Sequence, residues 1–395
     1  MPLDQFGTIV IVGPFSFPLG GAAARRILGN AKSLQRKGFD VVVASGQMAN
    51  EHPAEGLFDG IKFVSLNERK AERLPRFLKH LLYFTMGKKT VQWLDCFKEK
   101  PCAVILYSGY SPYILQILPW ARRNNVRLIF DAVEWYAPSS FVTRFSPYQL
   151  NIEFAMRFLL PRIGYIISIS TFLDNYYRKR FCRSIIIPPT LDVKNTIPSL
   201  DGRDTSSILN LVYAGTPGLK DRLDAVLEAV IRFRSKGFSV HINVAGVKMS
   251  EGTLYPAYRN SPMLAASCVT FLGVLSHNDT LDLVRSSDYS LILRKDARYS
   301  RAGFPTKFVE SVALGTPVIS NLTSDLASYI HDGITGFTCA GCSPIDAVAA
   351  LEKAYALTRQ KHSYMRASCR DMALEFFDFR VYSDDLANFI QSREN

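Results

Sequence analysis

Long apolar segments are missing from this sequence. A helix that spans a bilayer needs about 20 consecutive, mostly apolar residues, and no run of about 18 occurs. We therefore expect no transmembrane helix. The first apolar run lies within residues 6–12, and no cation precedes it. That pattern is typical of a strand and not of a secretory leader.

Cysteine and histidine are also scarce. The seven cysteines form no dense framework, which excludes a small disulfide scaffold and favours a reducing compartment. The single C-x-x-C, Cys339 to Cys342, has no second pair, so a metal or redox role is not favoured. The six histidines are scattered, and no Asp-x-Asp pair stands out. We predict no metal site.

Negative charge is in deficit. The chain has 47 Lys and Arg against 35 Asp and Glu, a formal charge of +12. Such an excess favours anionic partners, which are nucleotide phosphates, an anionic membrane face or nucleic acid. No nucleic-acid recognition motif is present, so we expect no nucleic-acid partner. With 48% hydrophobic residues in 395, the chain can form two globular domains.

The most informative stretch runs from Arg294 to Ser320. It opens with a polar loop, followed by a turn, Gly303-Phe304-Pro305, in which glycine permits positive φ and proline fixes φ. Thr306 is placed to cap a short helix that Gly315 ends. A cationic loop that runs into a helix N-terminus is typical of an anion site. The cations are Arg294, Lys295, Arg298, Arg301 and Lys307.

A carboxylate lies in the same short helix. Glu310 could accept two hydrogen bonds from a vicinal diol such as a ribose. Together with the cations, it indicates a site for a nucleotide diphosphate. A plain solvated loop followed by a capped helix stays open as the alternative.

Ala302 to Ile319 resembles the nucleotide-sugar motif of the retaining, GT-B-fold glycosyltransferases of family four, the glycosyl transferases group 1. That motif reads Glu-Gly-Phe-Gly, with a second Glu eight residues after the first, and then A-x-G-x-P-V-I. Gly303 and Phe304 match the Gly-Phe pair. Glu310 matches the second Glu, which in the family binds the donor ribose.

Two positions depart from this motif. Ala302 stands where the family has its first Glu, and Pro305 stands at the second Gly. A subset of the family has P-x-K before the glutamate, as in Pro305-Thr306-Lys307. The resemblance implies that Lys307 supplies charge to the donor phosphates.

A second glycine loop follows the strand predicted over 209–214. Gly215 to Arg222 leads into a helix, and a strand that feeds a glycine loop with cations is again typical of an anion site. By resemblance, Lys220 matches the family's phosphate lysine, and Thr216 replaces its arginine. Arg222, Lys307 or Arg301 are candidates to restore that charge. The strand 269–275, which contains Gly273, resembles the family's strand near the nucleotide base.

The first half opens with a strand, a loop, a helix and a strand. Gly20 and Gly21 precede the helix predicted over 23–37. The spacing is not G-x-G-x-x-G, so a dinucleotide site is not favoured. The pair resembles the family's Gly-Gly loop, which faces the cleft between domains and the donor. A tight turn without further role is the alternative.

Polar and aromatic residues follow two later strands, 103–107 and 127–131. Ligands of open α/β sheets lie outside the carboxyl ends of strands. Carboxylates accept hydroxyl protons, and aromatic faces stack on sugar rings. We therefore predict Asp131 and Glu134, with Lys220, as catalytic residues, and Ser108, Tyr110 and Trp135 as acceptor contacts. For Asp131, a turn or cap role stays open.

Residues 68–89 read as a basic amphipathic helix. Leucine and phenylalanine fall on one face and arginine and lysine surround it. Such a helix could lie on an anionic membrane surface. Packing on the domain's own sheet with solvated cations is the alternative.

The resemblance implies an α/β protein of the GT-B class, with two doubly wound, Rossmann-like domains facing across a cleft. We expect an acceptor-side domain over 1–195 and a nucleotide-sugar-binding domain over 208–375. The last helix, within 376–395, is expected to pack back on the first domain.

The resemblance also implies the reaction. A retaining glycosyltransferase would move a sugar from a nucleotide-diphosphate sugar to a hydroxyl of a glycan or lipid-linked acceptor in surface polysaccharide synthesis. No cofactor and no metal are expected, because cations take the metal's role. The expected location is cytoplasmic, peripheral at the inner membrane face. A catalytically inactive nucleotide-sugar-binding subunit and a GT-B nucleotide-sugar epimerase remain alternatives.

Overall fold

The structure is a computed structural model. It describes residues 6–47, 54–68, 85–138, 143–204, 208–218 and 220–392. The chain divides into two compact units. The first comprises Met1–Thr190, Ala302–Phe304 and Phe379–Asn395, and the second comprises Leu191–Arg301 and Pro305–Asp378.

The first unit is built on an eight-stranded sheet with the order β3-β4-β2-β1-β5-β6-β7-β8. All neighbouring strands are parallel except β3 and β4, which pair antiparallel. The short β-branched runs of this half form parallel strands because helices cover both faces and keep them dry. The strands are β1 (Thr8–Gly13), β2 (Asp40–Ser45), β3 (Glu55–Phe58), β4 (Ile61–Ser65), β5 (Ala103–Tyr107), β6 (Arg127–Ala132), β7 (Tyr165–Ser168) and β8 (Arg183–Ile186).

The helix at the end of the chain packs into this first unit. Leu386, Ala387 and Ile390 are buried in the same core cluster as strands β1 and β2. The α-helices of the unit are Gly21–Gln35, Lys88–Asp95, Ser111–Arg123, Pro147–Phe154, Thr171–Arg178 and Ser383–Gln391. Shorter 3₁₀ or π turns are Thr143–Phe145, Ala155–Leu159, Leu160–Ile163 and Phe379–Tyr382.

The second unit is built on a six-stranded, fully parallel sheet with the order β11-β10-β9-β12-β13-β14. The order reverses direction beside β9, so the carboxyl ends of β9 and β12 form the topological switch point at which α/β sheets bind ligands. The strands are β9 (Leu209–Ala214), β10 (Val240–Ala245), β11 (Val269–Gly273), β12 (Tyr289–Ile292), β13 (Val318–Asn321) and β14 (Gly336–Cys339).

Helices alternate with these strands, and the predicted α/β class with two doubly wound, Rossmann-like units is confirmed. The α-helices between residues 223 and 376 are Leu223–Ser235, Pro256–Asn260, Pro262–Ala266, His277–Ser286, Arg298–Ala302, Thr306–Ala313, Pro344–Tyr355 and Arg359–Phe376. The 3₁₀ turns are Met249–Leu254 and Leu326–Ser328.

Two local predictions in the informative stretch were wrong. Part of the expected polar loop forms a short helix, Arg298–Ala302. Thr306 does not cap the following helix: Pro305 holds the cap position, and Thr306 is the first helical residue, without a side-chain capping bond. Proline is suited to the helix start because its fixed φ and missing N–H cost little there. Gly315 ends the helix with a φ of +73°, as predicted.

Most of the predicted basic helix, residues 69–84, lies outside the described residues, so its membrane role stays a prediction. Its first residue is described and has another function. The buried Glu68 carboxylate accepts hydrogen bonds from the backbone N–H of Gly87 and of Thr90, both at 2.8 Å, at the start of the helix Lys88–Asp95. Across the described ranges, no helix is long and apolar enough to cross a membrane.

Candidate functional site

Three glycines bring the backbone of the second unit together at the carboxyl ends of β9, β10 and β11. The N–H of Gly246 donates to the carbonyl of Gly273 at 2.6 Å, and the N–H of Gly215 donates to that of Ala245 at 3.0 Å. A Cβ on Gly246 would lie 2.5 Å from the carbonyl carbon of Gly215, and its φ is +98°. A side chain is excluded here, so the loop backbone stays close to the sheet edge.

The loops after β9 and β12 are hydrogen-bonded to each other. The N–H of Arg222 donates to the carbonyl of Leu293 at 2.8 Å, and the N–H of Lys295 donates to that of Lys220 at 3.2 Å. The predicted glycine loop and the predicted cationic loop therefore form one structural element at the switch point.

Asn321, the last residue of β13, fixes the second of these loops. Its side-chain oxygen accepts from the N–H of Arg294 at 2.9 Å, and its side-chain nitrogen donates to the carbonyl of Arg294 at 2.8 Å. Both bonds are buried. Such a two-point contact holds the backbone of the arginine as a neighbouring strand would.

Lys307 is the centre of a charged cluster at this edge. Its ammonium lies 2.7 Å from the carboxylate of Asp221 and 2.7 Å from the hydroxyl of Tyr213. The Arg294 guanidinium lies 3.7 Å from the other oxygen of Asp221. A Cβ on Gly215 would lie 2.9 Å from the lysine stem, so this glycine leaves room for the lysine.

Burial and the charges within the cluster shift the pKa values of Asp221 and Lys307. Burial by itself would raise the pKa of Asp221, but Lys307 and the hydroxyl of Tyr213 outweigh it and hold that pKa below its ordinary value. Burial lowers the pKa of Lys307, and Asp221 opposes the shift. Asp221 therefore keeps its negative charge and fixes the position of the ammonium.

Two predicted donor-site cations do not join this cluster. Arg222 binds Asp224 through its Nε and Nη2 atoms, both at 2.9 Å. Arg301 binds Asp296 at 2.7 and 3.0 Å on the exposed surface. Lys307 and Arg294 are the cations that contact Asp221, whereas these two arginines are bound to other carboxylates. Each of the two has a carboxylate close in sequence that captures it.

Other predicted donor-site residues lie on the same or adjoining loops. Burial lowers the pKa of Lys307, and the Glu310 carboxylate, one helical turn later, is close enough to oppose that shift together with Asp221. Thr216 is exposed, Lys220 and Thr306 are half-buried, and Pro305 is buried. Gly303 and Phe304 are buried and grouped with the first unit.

The first unit contains a cavity of about 460 Å³ at the carboxyl ends of its own strands. Four predicted site residues line it, which are Gly20, Ser108, Tyr110 and Glu134. Gly21, exposed with a φ of +64°, lies beside it in the chain and is not in its lining. Ser108 itself has a φ of +70°, a strained conformation that turns the chain sharply after β5.

Glu134 is the one charged residue among the described residues that line this cavity. Burial and a hydrogen bond to Glu134 raise the pKa of Tyr136, and burial and Glu134 raise that of Tyr148. Both phenols therefore stay protonated near neutral pH. The carboxylate can accept hydrogen bonds from sugar hydroxyls, and the tyrosines beside it can present their aromatic faces to sugar rings.

Asp131 does not belong to the cavity, and the prediction of a catalytic role is corrected. Its carboxylate is 2% exposed and accepts from Nε of Arg26 at 3.0 Å and from Nη2 at 2.6 Å. Arg26 also donates to the carbonyl of Ile187 at 2.8 Å. The pair ties the helix Gly21–Gln35 to the sheet, so Asp131 is a structural residue.

Trp135 is also corrected, from an acceptor contact to a core residue. Its indole is 3% exposed, and its Nε1–H donates to Glu153 at 3.3 Å. Its ring packs edge-on against Tyr176, with 4.5 Å between centroids. Glu134 and Tyr136 line the cavity, whereas Trp135 between them is not part of its lining.

Sequence reasoning missed several residues of both sites. In the second unit these are Tyr213, Asp221 and Asn321, and in the first unit Tyr148 and Asn151. One signal was available, because Asn321 is a polar residue ending an apolar strand. The sequence gives no such signal for Asp221, because an acidic residue between Lys220 and Arg222 is expected to pair with these neighbours.

Part of the chain matches a known family. Residues 209–356, nearly all of the second sheet and its helices, match the family model described as glycosyl transferases group 1. The match covers less than half of the chain. The matched region contains Lys307, Asp221, Arg294 and Glu310. No curated protein sequence matches the chain.

Solved structures share the fold over almost the whole length of the chain. Sucrose-phosphate synthase from Thermosynechococcus elongatus is 13% identical with a TM-score of 0.73, and 97% of this chain and 98% of that chain are covered. Anabaena HepE in complex with UDP and glucose is 12% identical with a TM-score of 0.68, covering 98% and 100%. WaaG, a glycosyltransferase involved in lipopolysaccharide biosynthesis, is 14% identical with a TM-score of 0.66, covering 98% and 100%. These likenesses give the GT-B fold.

Proposed function

We propose that the protein transfers a sugar from a nucleotide-diphosphate sugar, with retention, to a hydroxyl of a glycan or lipid-linked acceptor in surface polysaccharide synthesis. The observation that carries the proposal is the Lys307, Asp221 and Arg294 cluster beside the glycine edge of the second sheet. It lies at the switch point and within the region that matches the family.

The donor diphosphate would lie against the glycine edge and beside Lys307. Bond cleavage at the sugar's anomeric carbon releases a nucleoside diphosphate, whose negative charge grows in the transition state. A fixed ammonium and guanidinium stabilise that charge more than they stabilise the ground state, which is the requirement for catalysis. Lys220, in the same loop pair, would add to this field, and Glu310 would bind the ribose diol.

The acceptor would occupy the cavity of the first unit. Glu134 would accept a hydrogen bond from an acceptor hydroxyl, and the tyrosine rings would pack on the sugar face. The acceptor oxygen forms the new bond to the anomeric carbon, and its proton passes to the leaving phosphate. This front-face route needs no protein base, so Glu134 would orient the hydroxyl.

UDP is the first nucleotide to test, because the printed description of Anabaena HepE names UDP and glucose. The description of WaaG, in turn, names lipopolysaccharide biosynthesis. Together they favour a UDP-sugar donor and a cell-surface glycan acceptor for this chain.

The test is a thermal-shift screen of UDP, GDP and ADP and several of their sugars, without metal, on the wild type and on Glu310→Ala. We expect one nucleotide diphosphate to stabilise the wild type and to stabilise Glu310→Ala much less. Asp325→Ala, a half-buried carboxylate in another loop, serves as the matched control. A sugar-release assay with the selected donor then measures turnover. If no nucleotide stabilises the wild type at millimolar concentration, the donor-site proposal is wrong.

A further inference from the structure

A row of exposed apolar side chains runs along one element of the first unit. The helix Pro147–Phe154 continues directly into the π turn Ala155–Leu159. Leu150, Phe154 and Phe158 are 53%, 48% and 56% exposed. Their spacing of four puts them on one face, and the two phenylalanine rings lie 5.8 Å apart.

The opposite side of this element is already in use. Tyr148, Asn151 and Ile152, together with Met156, line the 460 Å³ cavity. The helix therefore has one side in the candidate acceptor cavity and a second side that presents apolar groups to solvent. Single exposed apolar residues are common on soluble proteins, but a contiguous row indicates an interaction surface.

Cations border the row. The two neighbouring segments 111–123 and 143–163 contain five arginines and one glutamate. That glutamate, Glu153, is bound to Arg157 at 2.8 Å. Nη2 of Arg122 donates to the carbonyl of Arg162 at 3.3 Å, which joins the two segments. The arginines are Arg122, Arg123, Arg144, Arg157 and Arg162.

A second cavity adjoins this border. It has a volume of about 670 Å³, and Arg122, Arg127 and Arg162 line it, with no Asp or Glu among its described lining residues. Arg162 donates to the carbonyl of Phe158 at 2.9 Å, and Arg127 donates to that of Ile390. Each guanidinium is thus held by one backbone carbonyl and keeps further N–H donors that can bind a phosphate.

We propose that this face docks on an anionic lipid bilayer. We call it the aromatic-arginine face and define it as Leu150, Phe154 and Phe158 with Arg122, Arg144 and Arg162. The apolar row enters the boundary between headgroups and acyl chains, and the arginines bind lipid phosphates, as in interfacial amphipathic helices.

Charge selects the bilayer over a second copy of the chain. A two-fold dimer through this face would bring the same surface patch of each copy together, and with it two sets of arginines. Like charges in such a contact repel each other. An anionic membrane surface attracts all of them at once.

Docking places the candidate acceptor cavity next to the membrane, because the cavity lines the other side of the same helix. If the proposed function holds, a lipid-linked acceptor would reach Glu134 while its lipid stays in the bilayer. This last step rests on the proposed function, whereas the docking itself does not.

The test is sedimentation of the full chain with vesicles of equal parts phosphatidylglycerol and phosphatidylethanolamine, compared with vesicles of phosphatidylcholine alone. We expect binding to the anionic vesicles only. Phe154→Ser with Phe158→Ser should weaken it at least about tenfold. Arg144→Gln should weaken it about fivefold, with a smaller effect at high salt.

Leu150→Ser and Leu57→Ser form a matched pair, since Leu57 is also exposed but lies on the edge strand β3 at the far end of the sheet. Only Leu150→Ser should reduce vesicle binding. Thermal unfolding of each variant checks that the fold is intact. At equal ionic strength, free inorganic phosphate should displace the protein from vesicles no more than chloride does; stronger displacement by phosphate would assign the arginine cavity to soluble phosphate and overturn the proposal.

Two further outcomes would also overturn it. One is vesicle binding that is the same in the wild type, in the Phe154→Ser/Phe158→Ser double variant and in Leu150→Ser. The other is a wild type that stays in the supernatant with anionic vesicles. If that wild type also self-associates and the double variant does not, the face is an interface between copies of the chain. UDP binding in the thermal-shift screen is read separately, so failure of docking leaves the donor-site result standing.

Discussion

The two units use their charges differently. In the first unit, Arg26 and Asp131 form an ion pair with both side chains 2% exposed, inside the sheet-helix packing. In the second unit, Lys307 and Asp221 form a pair of similar length at the edge of the sheet, 21% and 12% exposed. A pair closed on all sides can only hold the fold together, whereas a pair at a strand end can still bind a ligand.

The largest expected effect is on the closed pair. Arg26→Met leaves the Asp131 carboxylate buried without its partner, which should cost about 3–5 kcal/mol in the free energy of unfolding. Urea unfolding measures it. Lys62→Met is the control, because its pair with Asp40 is exposed and should contribute less than about 1 kcal/mol. Equal effects of the two substitutions would show that Asp131 is not a structural residue.

The second unit has its own buried titratable group, His362. Its Nδ1 accepts from the N–H of Arg203 at 2.8 Å, and its Nε2 lies 3.1 Å from the carbonyl of Asp288, which fits a neutral ring. Burial, aided by Arg366, lowers the pKa of His362 from 6.5 to about 4. The unfolded chain therefore binds a proton between these pH values that the folded chain does not.

The free energy of unfolding should therefore decrease as the pH is lowered below about 6.5. The loss attributable to His362 is about 2 kcal/mol at about pH 5 and about 3 kcal/mol near pH 4, relative to neutral pH. Urea unfolding at a series of pH values measures it. His362→Gln should flatten the curve below pH 6.5. The exposed His331→Gln should leave it unchanged, and a flat wild-type curve would contradict the buried neutral ring.

The acceptor cavity gives a smaller effect, on catalysis. Glu134→Gln removes a charged hydrogen-bond acceptor and should lower kcat/KM for the acceptor by about tenfold to a hundredfold. UDP affinity should not change. Trp135→Phe, the adjacent core residue, should lose about 1 kcal/mol of stability with its bond to Glu153 and keep kcat/KM. If Trp135→Phe lowered kcat/KM more than Glu134→Gln, Trp135 would be an acceptor contact after all.

More of the fold than of the candidate site could be predicted from the sequence. Apolar β-branched runs, glycine loops and helical spacing repeat along the chain, so the parallel sheets and their order of elements were predictable. The closeness of Lys307 and Glu310 was also predictable, because they belong to one contiguous motif. Local rules such as capping by Thr306 failed where proline offered an equally good helix start.

Residues that meet only in space were not predictable. Arg26 and Asp131 are 105 positions apart, and no local pattern shows that they pair. Asp221 reaches Lys307 across 86 positions. Arg222 and Arg301 instead pair with carboxylates nearby in the chain, Asp224 and Asp296, so their part in a phosphate site stays a prediction.

We propose that Lys307 holds a nucleotide diphosphate at the open edge of the second sheet. Calorimetric titration of UDP, with GDP and ADP in parallel, into the wild type, Lys307→Met and Lys236→Met tests it most directly. Lys236, exposed and paired with Glu352, is the control. We expect Lys307→Met to weaken binding of the preferred nucleotide by about tenfold to a hundredfold, whereas Lys236→Met should bind it as the wild type does. Unchanged binding by folded Lys307→Met would contradict it.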